Sequence, residues 1–142
     1  MTIPLPQDTP LLIKPFTGLV NASGIAVVKI THGLHGLAWR VYQIGFALGK
    51  LAPSPQVAAH MNGIPLVASV TMQSSAFSQI PQEAPYAMET FFYGPPYVNL
   101  EAGDYILCAV NGAIVGDTFT VGVFINEMIS PAAQYARANY GR

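Results

Sequence analysis

The chain has 142 residues, with six Lys or Arg, seven Asp or Glu and a formal net charge of −1. Charged residues make up 9% of it, against about 25% in an ordinary soluble domain. Lys14, Lys29, Arg40, Lys50, Arg137 and Arg142 are scattered, so no basic patch exists to neutralise phosphates and nucleic acid is excluded as a partner. No apolar run reaches about 18 residues, and the start MTIPLPQDTP has neither a basic opening nor an apolar segment, so neither a membrane partner nor a secretory leader is expected.

The length is that of one domain able to bury its own core. The single cysteine, Cys108, rules out a disulfide within the chain and a cysteine zinc cage. It sits in an apolar run and reads as a small buried hydrophobe. Area scaling gives such a chain roughly 7,000 Å² of surface, hence one charge per about 540 Å² where usual composition leaves one per about 200 Å². Large uncharged areas and a net charge close to zero favour association.

Residues 1–20 are expected to form an extended N-terminal arm. Pro4, Pro6, Pro10 and Pro15 exclude a helix or a central strand. Leu11, Leu12, Ile13 and Phe16 are too apolar for a free tail, so the arm should dock on its own domain or on a neighbour. Residues 21–129 should form the main domain. IAVVKIT, from Ile25, is a β-branched strand, and HGLHG a turn. LAWRVYQIGFAL is apolar on both faces, as for a strand covered on both sides. In it Ala38, Tyr42, Ile44, Phe46 and Leu48 alternate with Leu37, Trp39 and Val41, and Gly45 marks a bulge or a close backbone approach. LAPSPQ is a loop. Asn62-Gly63 between apolar runs predicts a tight hairpin.

Residues 73–85 form a polar connection long enough to cross between sheets. YAMETFFYGPPY is a strand ended by Gly94-Pro95-Pro96. In NLEAGDYILCAVNG, the spacing of Leu100, Gly103 and Tyr105 resembles a tyrosine corner, in which the Tyr105 hydroxyl reaches back to upstream backbone and closes a crossover between sheets. Leu107 stands where the immunoglobulin pattern places a cysteine, which disfavours an antibody-type domain. NGAIVGD is a turn. TFTVGVFIN is the last strand, with Phe119, Val121, Val123 and Ile125 on one face. Residues 130–142 should form a short C-terminal helix or tail, with Ser130 as N-cap and Pro131 in the first turn. The fold class expected is all-β, a Greek-key β-sandwich or jelly roll.

The chemistry-bearing residues do not assemble into a reactive set. His32 and His35 lie in a Gly-rich turn, His60 is remote, and no metal is expected. Glu101, Asp104 and Asp117 sit at turns, where Asp makes local backbone bonds. Glu89 is alone in mid-strand, with Arg40 a possible ion partner. No catalytic residue and no cofactor is expected. Tyr93 and Tyr97, flanking a proline turn, and Tyr135 and Tyr140 of the tail join Leu11, Leu12, Ile13 and Phe16 as interface candidates.

A sandwich with an apolar arm, a tail, one cysteine and few charges resembles the capsid decoration (cementing) proteins of tailed bacteriophages. The residues carrying the resemblance are the arm, the MNG hairpin, the LEAGDY corner and the tail at 130–142. It implies a non-enzymatic protein of the virion, a homotrimer that staples neighbouring copies of a major capsid protein. Two other readings stand beside it. One is a sugar- or receptor-binding module of a tail or fibre, with Tyr93, Tyr97 and Trp39 around an open cleft. The other is a ring subunit of a tail or collar.

Overall fold

The computed structural model describes residues 12–31, 37–72, 86–91 and 98–129, with Leu12 and residues 86–91 placed through their backbone. Nine strands follow in order: β1 (Leu12–Leu19), β2 (Ala26–Thr31), β3 (Leu37–Leu48), β4 (Gln56–Met61), β5 (Ile64–Thr71), β6 (Tyr86–Phe91), β7 (Val98–Glu101), β8 (Tyr105–Asn111) and β9 (Thr118–Ile129). Among the described residues there is no helix. The chain is the all-β sandwich expected of its β-branched runs and turn residues.

One sheet has the order β1-β9-β3-β6, with β7 also paired to β3; the other has the order β2-β8-β4-β5. All pairings among the described strands are antiparallel, and β6 and β7 share one edge of β3, opposite residues 43–48 and 38–41. Successive strands alternate between the sheets except in the β4–β5 hairpin and the β6–β7 step. Strands β5 and β6 lie in different sheets, as the long connection between them suggested. The expected turn at 32–36, the connection at 73–85 and the C-terminal helix at 130–142 lie outside the described residues.

The core lies between the sheets and includes Ile30, Phe46, Ile106 and Phe119, each fully buried. The Phe46 and Phe119 rings stack with centroids 6.0 Å apart. Each such side chain contributes about 1.5–3 kcal/mol through removal from water.

The alternation in β3 is broken by one extra residue. Val41 faces Ile125 and Gln43 faces Phe124, so Tyr42 is bulged out of register with β9. The bulge brings Trp39 and Val41 onto the same core face as Ile44, Phe46 and Leu48, which strict alternation had put on the opposite face. Gly45 is paired in register with Gly122 and Glu89, and the bulge falls three residues before it. The sheet is also buried on its outer side: Ala38, Gln43, Ala47, Thr120, Phe124 and Met128 lie outside the core cluster yet are at most 4% exposed.

Residues 12–19, the second half of the expected arm, form an edge strand paired along its whole length with β9 of the same chain. Pro15 is tolerated there because an edge strand has one unpaired side. Phe16 packs against the core. Ile13 is 38% exposed. At Gly18 the strand comes so close to β2 that a Cβ would stand 3.0 Å from Val28 Cγ2 and 3.2 Å from the Val27 carbonyl oxygen. Glycine there lets β1 and β2 meet at the margin of the sandwich.

Candidate interaction surface

Three loops meet at one end of the sandwich: 20–25 after β1, 49–55 after β3 and 112–117 after β8. Their meeting point is Asp117, 3% exposed. Its Oδ1 accepts from the Gly49 and Thr118 amides at 3.1 and 2.7 Å, and its Oδ2 from the Lys50 amide at 2.9 Å. The third loop joins through backbone: Val20 N–H donates to the Asp117 carbonyl (2.9 Å), and Gly116 N–H to the Val20 carbonyl (3.0 Å). Ala113 N–H donates to the Gly24 carbonyl. A buried carboxylate with three amide donors is paired by charge-assisted hydrogen bonds, the condition under which burial of such a group is tolerated.

This end carries exposed apolar side chains. Leu19 is 71% exposed, Leu51 66%, Val115 57% and Ile114 38%. Leu19 precedes Val20, Leu51 follows Lys50, and Ile114 accepts from the Asp117 amide at 3.0 Å through its carbonyl. Each apolar side chain therefore sits on, or one or two residues from, a hydrogen-bonded anchor. Loops so tied hold their apolar tips in place before any partner arrives, which reduces the ordering cost of association.

The opposite end is tied by polar side chains, with Ile64 beside its turn 68% exposed. Asn62 and Gly63 both have positive φ, 51° and 82°, the two-residue hairpin turn that Asn-Gly favours. The Asn62 amide clasps the connection between β7 and β8. Its Oδ1 accepts from Tyr105 N–H at 3.0 Å, and its Nδ2 donates to Asp104 Oδ1 at 3.1 Å. Asp104 Oδ2 accepts from Glu101 N–H at 3.0 Å. The corner does pass from one sheet to the other, with Leu100 fully buried and Gly103 at φ 92°. Its hydrogen bonding runs through Asp104 and Asn62, whereas the Tyr105 ring lies 5.1 Å beneath the Lys29 ammonium. The shorter carboxylate and amide reach backbone that the expected hydroxyl contact was to hold.

Of the interface candidates, Leu12 lies in β1, and Ile13 and Phe16 are placed as described above. Leu11, Tyr93, Tyr97, Tyr135 and Tyr140 lie outside the described residues, as do His32 and His35. Trp39 does not line an open cleft: it is 9% exposed, packs in the core and donates from Nε1 to Glu127 Oε1 at 3.2 Å. Lys14 stands 6.0 Å from the centroid of its ring. Arg40 is in register with Asn99 and Asn126, and Glu89 with Gly45. His60 is half-buried on β4, opposite Leu107. Among the described residues, no group of three or more His, Cys, Asp or Glu side chains is placed to hold a metal. Cys108 is fully buried, and burial pushes its thiol up to about 12. No described helix is long and apolar enough to cross a membrane.

Sequence reasoning missed the apolar loop end. Leu19, Leu51 and the Ile114-Val115 pair lie far apart in the sequence, and only the meeting of three loops brings them to one end. The available signal was a run of loops with apolar tips in a chain of few charges.

No known protein family matches the chain, and no curated protein matches it. Solved structures similar to it include the dimeric latent PorU of Porphyromonas gingivalis, with 9% identity over 84% of this chain and a TM-score of 0.33. The catalytic unit of a GH87 α-1,3-glucanase from Streptomyces thermodiastaticus has 15% identity over 87% of this chain and a TM-score of 0.37. The enzymatically active domain of bacteriophage CBA120 tailspike protein 4 has 15% identity over 84% and a TM-score of 0.30. The chain spans 13%, 26% and 18% of these three structures, respectively.

Proposed function

We propose that the chain is a non-enzymatic structural protein of a virus particle, a decoration subunit that forms a homotrimer and staples neighbouring copies of a major capsid protein. The observation that carries this reading is the loop end: four exposed apolar side chains, one at the end of β1 and three on loops, at the end of the sandwich that Asp117 ties together. The scarcity of charge acts in the same direction, since docking such a surface desolvates few ionised groups. The strand order supports a jelly-roll reading, because each sheet interleaves early and late strands, β1-β9-β3-β6 and β2-β8-β4-β5, a topology used in capsid domains. In this reading the proline-rich residues 1–11 reach a neighbouring subunit.

The test has two readouts. Sedimentation of the purified chain is expected to give a stable trimer, and Leu51→Asp with Val115→Asp is expected to dissociate it without loss of the β-sheet circular dichroism signal. Removal of residues 1–11 leaves β1 intact and should weaken attachment to capsid particles. A wild-type chain that sediments as a monomer at high concentration and binds no particle would overturn the reading.

A further inference from the structure

We propose that Asn62 is a latched deamidation site, held unreactive by its hydrogen bonds to Asp104 and Tyr105, and that Asn111 is its unlatched counterpart. The chain has six asparagines, and two are followed by glycine, Asn62-Gly63 and Asn111-Gly112. Glycine offers the least hindered backbone nitrogen for attack on the preceding side-chain amide. In that reaction the Gly63 nitrogen loses its proton to hydroxide and bonds to Asn62 Cγ. The Cγ–Nδ2 bond breaks and ammonia leaves with a proton from water. The succinimide ring then adds water at either carbonyl, giving aspartate or isoaspartate. Water and hydroxide are the only co-reactants.

The two sites differ in what holds the amide. Both residues are exposed. At Asn62 both amide atoms are engaged, Oδ1 by Tyr105 N–H and Nδ2 by Asp104 Oδ1, and the backbone is fixed by Asn62 N–H donating to the Tyr105 carbonyl at 3.0 Å. These contacts aim the side chain across to the corner, and the bonds must open before Gly63 can reach Cγ. At Asn111, among the described residues, no such contact holds the amide. The product at Asn62 could not re-close the latch: a carboxylate lacks the Nδ2 donor and would face the Asp104 carboxylate. Deamidation would thus remove for good the side-chain tie between the β4–β5 hairpin and Asp104, leaving the backbone pairing of β4 with β8 in place.

Native protein held at 37 °C and mildly alkaline pH, sampled by peptide mapping and by isoaspartyl methyltransferase labelling, tests this. Each rate is divided by that of the same residue in concentrated urea, which removes the effect of local sequence. The native-to-urea ratio for Asn62 is expected to be about tenfold smaller than that for Asn111, the scale of two net hydrogen bonds. Asp104→Ala should raise the Asn62 rate severalfold and leave the Asn111 rate unchanged. Equal ratios for the two residues in the wild type would overturn the proposal. So would a folded Asp104→Ala chain with an unaltered Asn62 rate. The wild-type ratios stand as the test should that variant not fold.

Discussion

The two ends of the sandwich are each tied by an aspartate, and the settings of the two carboxylates are opposite. Asp117 is 3% exposed and accepts three backbone amides, two of them from residues 67 and 68 positions away. Asp104 is half-buried and bonds a side-chain amide and a nearby backbone group. The first tie is closed to water and holds three loops with apolar tips. The second is nearer to water and joins a hairpin to a corner through a side-chain amide and one backbone amide. Burial decides what each tie is worth: a hydrogen bond shielded from solvent is costly to lose, whereas water replaces an exposed one.

The largest effect is expected at the buried tie. Asp117→Ala leaves three amide donors without their acceptor and should lower stability by about 3 kcal/mol in urea denaturation. Equal losses for Asp117→Ala and Asp104→Ala would mean that burial does not separate the two ties. The double substitution Leu51→Asp with Val115→Asp should weaken association by about 2 kcal/mol, roughly thirtyfold in Kd by sedimentation, with little change in unfolding midpoint.

Cys108 lies midway along β8, the strand that joins the two ends. Its thiol ionises near 9.0 when exposed and at about 12 in the fold. Between those values the unfolded chain releases a proton that the folded chain keeps. Its contribution is therefore whole below pH 9 and falls as pH rises, by up to about 1.4 kcal/mol per pH unit. Cys108→Ala should remove that part of the alkaline slope. The smallest effect belongs to Asn62→Ala, about 1 kcal/mol. It should leave Cys108 as slow toward a thiol reagent as in the wild type, since the corner can open without opening the core.

Much of the strand pattern was legible because it rests on local chemistry. The β-branched run at 26–31, the Asn62-Gly63 turn and the alternating core face of 119–125 need no distant partner to be recognised. The face assignment in β3 failed at Tyr42, where one added residue flips the side chains that follow and leaves no mark in composition. Asp117 was read as a turn residue with local bonds. Its Thr118 contact is local, but Gly49 and Lys50 are brought to it by the packing of the sheets. The apolar loop end was illegible for the same reason: Leu19, Leu51 and Val115 are ordinary hydrophobes far apart in the chain until the strands beneath them assemble. At the corner the spacing located the crossover, while the choice of anchor depended on a hairpin some 40 residues upstream.

The edge strand β1 has a consequence for how copies can meet. It carries Pro15, which has no amide hydrogen to offer, beside Lys14, whose ammonium stands over the Trp39 ring. A second chain laid alongside would find a gap in the ladder at Pro15, which opposes open-ended fibre growth. β5, at an edge of the other sheet, carries Pro65. Polymer growth by adding strand to strand is thereby blunted at these two margins.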